Sequence, residues 1–278
     1  NNDPTQAKVY FQRSLENPVN IRQQAIALYW MGDIANREEN YPESTRYLDR
    51  FLTAAKPLSD LPEESSVFTA NYLLGYNYLK IDNYEKARGY FQTTVEGINR
   101  NRRFIKNPDI SNNLLGDATL RLGDSYFKFN QYESAARYYD EAIERKYIGS
   151  DYAMYQKAII EGLRGRKTDE IVALERLVRD QPSSEFADDA LLRLGTTYQE
   201  IGKLNQAVEP LRQLITRYQG KSPLINQALL RLGLISYNLG NYEGAINYYK
   251  QVFGNNPAPE EASLALAALE EIYVKDLG

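Results

Sequence analysis

One spacing recurs along this chain and restricts the folds that it can adopt. Gly233 follows Leu232, and a small residue, Ala245, comes twelve positions after it. The same offset joins a glycine to a small residue in five places: Gly32 to Ser44, Gly75 to Ala87, Gly123 to Ala135, Gly195 to Ala207 and Gly233 to Ala245. Apolar residues within these copies recur at helical intervals, and small residues let two helices approach closely. The repetition therefore predicts an all-α array of paired helices.

The residues that follow each glycine predict where the two helices of a pair are separated. Seven positions after the glycines stand Gly202, Gly240, Asn130 and Asp82, with Glu39 at this place in the first copy. Gly, Asn and Asp tolerate the left-handed backbone that a tight helix–helix turn often needs. Asn83 and Asn241 come next, where a side chain can cap a second helix. We expect each copy to fold as two antiparallel helices joined by a tight turn.

These residues resemble a known repeat. Leu-Gly-x-x-Tyr, followed by Ala and by an aromatic residue four positions later, is similar to the tetratricopeptide repeat, and the copies around Gly75, Gly123, Gly195 and Gly233 carry it best. The resemblance implies an all-α, right-handed α-solenoid (a superhelix) of antiparallel helix pairs that forms one domain. It also implies a scaffold that binds a protein or peptide and is not an enzyme.

The pattern also predicts the boundaries of the units. A partial unit covers residues 1–17, six repeats cover about 22–57, 66–100, 113–147, 150–181, 186–220 and 223–256, and a terminal helix covers 258–276. The unit at 150–181 is inferred from periodicity alone, with Lys157 in the glycine position. Two linkers, 54–67 and 98–114, are long enough to carry an added function, because loops tolerate insertion.

Composition excludes several kinds of chemistry. The 278 residues include no Cys and no His, which rules out zinc–thiolate sites, thiol nucleophiles and every triad that contains His. We expect no cofactor and no metal. The net charge of −4, with both signs interspersed, argues against nucleic acid as the main partner. No apolar run approaches the roughly 20 residues that a transmembrane helix requires.

The resemblance also predicts a binding face. First helices of tetratricopeptide units line the concave side of the superhelix, so residues three before, one after and four after each glycine are expected to face a partner. These are Tyr29, Asp33, Asn36, Tyr72, Tyr76, Leu79, Asp124, Phe127, Thr196, Gln199, Leu230, Leu234 and Tyr237, with Leu120 and Leu192 at the two remaining positions. Aromatic anchors mixed with a few acids are typical of protein-binding surfaces.

Charged clusters permit other functions, which we consider less favoured. The basic run Arg100, Arg102, Arg103 and Lys106 could contact phosphate or nucleic acid, but the acidic chain favours a solvated loop. Acidic pairs such as Glu63–Glu64, Asp188–Asp189 and Glu260–Glu261 could form the carboxylate couple of an α/α-toroid carbohydrate-active hydrolase. Nearly all of them stand at expected helix starts, where carboxylates interact favourably with the helix dipole.

The end of the chain and its composition suggest two further features. The terminal helix keeps a broad apolar face that includes Leu264 and Leu266, so self-association through an open end of the array is an alternative. The chain resembles periplasmic members of this family, which serve bacterial cell-envelope assembly. The similar features are the 38-residue spacing, the Pro-Ser-Ser before one helix and a composition rich in Tyr and Asn. The expected location is the periplasm or cell envelope, with the cytoplasm as the alternative.

Overall fold

The computed structural model describes residues 4–276 and contains fourteen α-helices, with no strand in that range. In chain order they are α1 Pro4–Glu16, α2 Ile21–Arg37, α3 Tyr41–Ala55, α4 Val67–Lys80, α5 Tyr84–Asn101, α6 Leu115–Lys128, α7 Tyr132–Glu144, α8 Ser150–Leu163, α9 Lys167–Asp180, α10 Ala187–Glu200, α11 Leu204–Tyr218, α12 Ile225–Asn238, α13 Tyr242–Gly254 and α14 Pro259–Glu271. The predicted all-α class is confirmed. The predicted partial unit 1–17 contains α1, and its first three residues lie outside the described residues.

The chain forms two compact units, Asn1–Ala153 and Met154–Gly278. In the first unit α2 packs on α3, α4 on α5 and α6 on α7, and α3 and α5 each also contact the helix that follows. In the second unit α10 packs on α11 and α12 on α13, and α12 also contacts α10 and α14. Each unit is therefore built from helix pairs whose first helices lie side by side.

The turns within the pairs adopt the predicted backbone. At these turns six residues have a positive φ between 57° and 76°: Glu39, Asp82, Asn130, Gly165, Gly202 and Gly240. The side chains of Asn40, Asn83 and Asn241 then accept hydrogen bonds from Glu43 N, Lys86 N and Gly244 N. The prediction of left-handed turns and of caps at Asn83 and Asn241 is confirmed, and Glu39 adopts this backbone although the side chain does not favour it.

The repeated glycines lie where a second helix approaches most closely. A Cβ built on Gly75 would lie 2.7 Å from the Phe91 ring, and one built on Gly233 would lie 2.5 Å from the Tyr249 ring. Tyr139 approaches Gly123 in the same way, sixteen residues along the chain. Phe91 and Tyr139 are fully buried, and burial of such a side chain contributes about 1.5–3 kcal/mol.

The fourth repeat, predicted at 150–181, has a different register from the predicted one. Ala158, and not Lys157, occupies the glycine position, because Ala158 is fully buried and Lys157 is not. The left-handed Gly165 comes seven residues after Ala158, and the buried Leu174 comes sixteen residues after it, as in the other pairs. The placement of Lys157 was wrong by one residue. The small position of this repeat holds Glu170, which hides the pattern in the sequence.

The two long linkers meet each other in the first unit. A short 3-10 turn, Glu63–Ser65, lies in one linker, and a 3-10 turn, Arg102–Phe104, and a π-helical segment, Asp109–Leu114, lie in the other. The Glu63 carboxylate accepts hydrogen bonds from Lys106 N at 2.9 Å and from Asn107 N at 2.7 Å. These contacts give the second linker a defined conformation, while Arg100, Arg103 and Lys106 of its basic run remain exposed.

No helix within residues 4–276 combines the length and the apolar character that crossing a membrane would require.

Candidate protein-binding face

Two predicted face residues, Tyr72 and Tyr76, are joined by an acid from the next pair. Both lie on α4, and their hydroxyls donate to Oδ2 of Asp117 on α6, at 2.9 Å and 2.5 Å. Their rings meet edge to face at 5.0 Å, and both rings pack against Phe91. The two tyrosines are therefore half-buried and held in one orientation at the side where α4 and α6 adjoin.

Asp117 continues into a larger polar network. Arg121, one turn later on α6, pairs with Asp117 at 3.5 Å and with Asp124 at 2.5 Å. Asp124 Oδ1 also accepts hydrogen bonds from the hydroxyls of Tyr139 at 2.7 Å and Tyr152 at 2.8 Å. We call this set the Tyr–Asp network; its members are Tyr72, Tyr76, Asp117, Arg121, Asp124, Tyr139 and Tyr152.

Burial and charge raise the pKa of several groups in the Tyr–Asp network. Burial and the Asp117 carboxylate raise the pKa of both Tyr72 and Tyr76 well above the ordinary tyrosine value. Burial also raises the pKa of Asp124, while the Arg121 charge and the two tyrosine hydroxyls oppose that rise. The tyrosine hydroxyls consequently remain hydrogen-bond donors at neutral pH, which suits recognition.

Two of the three predicted residues of the first pair, Tyr29 and Asp33, are buried. Tyr29 is 5% exposed and packs against Trp30 and Phe51, and Asp33 is 9% exposed and pairs with Arg37 at 2.9 Å. Asn36 donates to Asn77 Oδ1 at 2.7 Å. The buried Asn77 in turn donates to the Ser44 hydroxyl at 2.8 Å, so this contact joins the first two pairs. Tyr29 and Asp33 thus serve the core more than a surface.

The remaining predicted residues of the first unit divide into two kinds. Leu79 and Phe127 are half-buried, and the Phe127 ring meets Tyr132 edge to face at 5.6 Å. Leu120 is buried and contacts the turn at Gly149. Leu79 and Phe127 therefore retain apolar surface that a partner could contact, whereas Leu120 belongs to the core.

The second unit has a separate and more apolar set. Leu234 on α12 is 47% exposed, with Leu230 and Tyr237 half-buried near it. Gln199 on α10 accepts a hydrogen bond from Arg231 on α12 at 3.1 Å. Thr196 and Leu192 are half-buried, and the Thr196 hydroxyl donates to the Leu192 carbonyl at 2.9 Å. Leu230, Leu234 and Tyr237 all lie on α12, and the hydrogen bond from Arg231 to Gln199 connects α12 to α10.

Sequence reasoning missed the charged partners of this face. In three helix pairs an arginine stands two residues before the repeated glycine. These arginines are Arg121, Arg193 and Arg231. The acids one helical turn away from Arg121 could have been recognised from the sequence as its partners, because residues three or four apart on a helix are neighbours. The partnership between Asp117 and two tyrosines of an earlier helix had no such local signal.

A second charged cluster lies in the second unit. The fully buried Glu170 pairs with Arg193 Nε at 2.5 Å and with Lys167 Nζ at 3.3 Å. Lys167 also contacts Glu200 at 2.6 Å. Both cations therefore have carboxylate partners, and the cluster joins α9 to α10.

The acidic pairs considered for a hydrolase have structural contacts. Glu63 binds two backbone amides, and Glu261 accepts hydrogen bonds from Ala258 N and from the Asn226 side chain, both at 2.9 Å. Asp188 accepts a hydrogen bond from Asp189 N at 3.0 Å. Within the described residues, no group of three or more acidic side chains is arranged to hold a metal ion.

Comparison with solved structures gives similar folds at low identity. The C-terminal part of a TPR repeat-containing protein from Cytophaga hutchinsonii aligns with a TM-score of 0.72 at 10% identity, covering 96% of this chain and 94% of that one. The type IV pilus biogenesis factor PilW aligns with a TM-score of 0.56 at 21% identity, covering 88% and 99%. YrrB, described as a TPR protein with an unusual peptide-binding site, aligns with a TM-score of 0.54 at 20% identity, covering 78% and 96%.

No protein of curated function matches this chain. A tetratricopeptide repeat family model matches residues 120–185 and 192–258. These segments contain the copies at Gly123, Ala158, Gly195 and Gly233, including the one whose register the sequence concealed. The spacing, the helix pairs and this match agree: the chain belongs to the tetratricopeptide repeat family.

Proposed function

We propose that this protein is a non-enzymatic scaffold that binds a protein or peptide along the side formed by its first helices. Tetratricopeptide repeat proteins bind such partners, which supports the general class. The contact residues that we propose in the first unit are Tyr72, Tyr76, Leu79 and Phe127. Those that we propose in the second unit are Leu230, Leu234 and Tyr237, with Thr196 and Gln199 beside them.

The pair Tyr72 and Tyr76 is the observation that carries the proposal. Each hydroxyl is tied to Asp117 and each ring packs against Phe91, so both side chains are already ordered before a partner arrives. Ordering of a free side chain on binding costs about 0.5–1.5 kcal/mol, and preorganised tyrosines avoid much of that cost. Tyrosines of this kind are enriched among the residues that dominate binding energy.

A phage-displayed library of random peptides tests the proposal in the first unit. Peptides selected by the native protein should bind Tyr72→Ala/Tyr76→Ala about tenfold or more weakly, as measured by calorimetry. Tyr78→Ala/Tyr90→Ala is the matched control, because these two stacked rings belong to the same helix pair and lie outside the proposed contacts. Tyr72→Phe/Tyr76→Phe keeps both rings and removes only the hydroxyls, so it can be measured even if the double alanine variant fails to fold.

The second unit has its own matched variants. Leu234 and Leu239 are 47% and 48% exposed, but Leu239 follows the end of α12 and is not a proposed contact. Leu234→Asp should weaken binding of the selected peptides, and Leu239→Asp should leave that binding unchanged. The scaffold proposal would be abandoned if no peptide were selected. It would also be abandoned if the selected peptides bound the variants of both units as tightly as they bind the native protein.

We further propose a role in bacterial cell-envelope assembly, with the protein in the periplasm or cell envelope. The likeness to the pilus biogenesis factor PilW supports this proposal at the level of fold. An antibody raised against the chain should detect it in the periplasmic or envelope fraction of its source cells. Detection in the cytoplasmic fraction alone would favour the alternative compartment.

Self-association is a second candidate that one observation favours. Leu264 and Leu266 on α14 are 56% and 61% exposed, which leaves apolar surface on the last helix of the second unit. We propose that a second copy covers this surface at high concentration. Light scattering should show a mass that rises with concentration in the native protein and stays constant in Leu264→Glu/Leu266→Glu; a constant native mass would contradict it.

A further inference from the structure

A basic pocket lies in the first unit, apart from the proposed peptide-binding residues. It has a volume of about 450 Å³ and is lined by Arg102, Asn112, Asn113, Arg145, Lys146, Tyr147 and Ile148. Three of these residues are cationic, two carry side-chain amides and none is acidic, although the whole chain has a net charge of −4. The pocket therefore concentrates positive charge on an acidic protein.

One wall of the pocket comes from the linker 98–114. Arg102 lies in the 3-10 turn after α5, and its Nη2 donates to Asn112 Oδ1 at 3.1 Å. Asn112 and Asn113 lie in the π-helical segment Asp109–Leu114, a conformation that is rare and is often found at functional sites. The contact between Arg102 and Asn112 holds the guanidinium beside the π-helical segment.

The other wall is the turn after α7. Lys146 has a φ of +54°, which is uncommon for a residue with a long side chain. Backbone bonds from Lys146 N to Ile143 O and from Tyr147 N to Ala142 O hold this conformation at 3.1 Å and 3.0 Å. Arg145 pairs with Glu141 at 3.0 Å on the helix that it follows. The turn thus brings two consecutive cations to the pocket.

Two buried polar atoms of the pocket residues have no hydrogen-bond partner. They are Nη1 of Arg102 and the hydroxyl of Tyr147, a residue that is 6% exposed. Buried donors are nearly always satisfied in folded proteins, because leaving one unmet is costly. An oxygen-rich anion in the pocket would satisfy such donors and neutralise the cations.

We propose that this pocket binds a phosphate monoester. Its phosphate group carries nearly two negative charges at neutral pH and presents three acceptor oxygens, which matches a guanidinium, an ammonium and side-chain amides. A single carboxylate would leave more of the positive charge unpaired. The volume of about 450 Å³ exceeds what a phosphate alone needs, so the group belongs to a larger ligand.

Calorimetric titration of the full chain with inorganic phosphate and with O-phosphoserine tests the proposal. Both probes should bind saturably at low ionic strength, and acetate should bind at least about tenfold more weakly. Arg102→Gln and Lys146→Asn should each reduce phosphate affinity about tenfold, the effect of losing one charge-assisted hydrogen bond. Asn is chosen at position 146 because it tolerates a left-handed backbone.

Arg103→Gln is the matched control, because Arg103 neighbours Arg102 but stacks on the Phe104 ring at 4.6 Å and does not line the pocket. Circular dichroism should confirm that all variants fold. The proposal would be overturned by an absence of saturable phosphate binding, by equal losses in Arg102→Gln and Arg103→Gln, or by equal affinity for acetate. Peptide binding to the first helices should be unchanged in every pocket variant.

Discussion

Glu170 fills the space in which a side chain at Gly162 would lie. A Cβ built on Gly162 would collide with the Glu170 carboxylate, and this carboxylate is fully buried beside Arg193 and Lys167. Glu170 stands twelve residues after Ala158, at the position that holds Ala or Ser in the other pairs. A large acid at a small position thus requires a glycine on the facing helix.

This relationship predicts coupling between the two positions. Gly162→Ala should destabilise the protein by about 1–3 kcal/mol, because the added methyl group has no room beside the carboxylate. In a Glu170→Ala background the same change should cost little, so the two substitutions should not add. Urea unfolding of the two single variants and the double variant measures the coupling. Strictly additive free energies would contradict the steric explanation.

The close approach of paired helices predicts opposite effects for two glycines of one pair. Gly75→Ala should lower the free energy of unfolding by about 1–3 kcal/mol, because its Cβ would lie 2.7 Å from the Phe91 ring. Gly89 is exposed on α5, with no heavy atom within 4 Å of a built Cβ. Gly89→Ala should therefore raise stability by about 0.5–1 kcal/mol through helix propensity. Thermal or urea unfolding distinguishes the two, and equal effects would be unexpected.

The Tyr–Asp network predicts different costs at two equivalent repeat positions. Tyr139 and Tyr249 each stand sixteen residues after their glycine, and the Tyr139 hydroxyl donates to Asp124 at 2.7 Å. Tyr139→Phe should cost about 1.5–3 kcal/mol, since the lost hydrogen bond is to a charged group. Tyr249→Phe should cost less than about 0.5 kcal/mol. Similar costs for both substitutions would show that ring packing alone accounts for Tyr139.

The contact between the long linkers predicts a dependence on pH. Backbone hydrogen bonds from Lys106 and Asn107 lower the pKa of Glu63 below its ordinary value of 4.5. A carboxyl whose folded pKa is lowered contributes stability above its unfolded pKa and loses it as the pH falls through the folded pKa. The stability advantage of the native protein over Glu63→Gln should therefore be present at neutral pH and shrink below about pH 4.5.

Urea unfolding of both proteins at several pH values measures this difference, because acid effects elsewhere in the chain cancel. Glu64→Gln is a suitable control, since Glu64 accepts a side-chain hydrogen bond from Asn107 at 3.4 Å in place of the two backbone amides. A Glu63→Gln difference that stays constant, or grows, on acidification would rule out the proposed role of the linker contact.

Much of the fold could be predicted because its determinants are local. The left-handed turns at Asp82, Asn130 and Gly202, and the caps at Asn83 and Asn241, depend on residues within one or two helical turns. The register of the fourth repeat could not be predicted in this way. Glu170 is tolerated there because Arg193, from the next helix pair, neutralises it.

The candidate face was predictable only in part. Its spacing placed Tyr72 and Tyr76 on one side of a first helix, but the acid that orients them, Asp117, stands 45 and 41 residues later. Tyr139 stands at the aromatic position of its repeat, and its hydroxyl also donates to Asp124. Hydrogen bonds between residues so far apart along the chain produce no periodic pattern in a single sequence.

The sequence by itself determined the paired helices, their turns and their closest approaches, because backbone sterics and helical period act over a few residues. Tertiary structure decided which polar residues meet, as Tyr72 meets Asp117 and Glu170 meets Arg193, and it placed Arg102 and Lys146 in the lining of one pocket. Burial decided the rest, since it removed Tyr29 and Leu120 from the accessible surface and left Leu234 exposed. These outcomes depend on where distant helices and linkers pack, and only the folded chain brings their side chains within reach of one another.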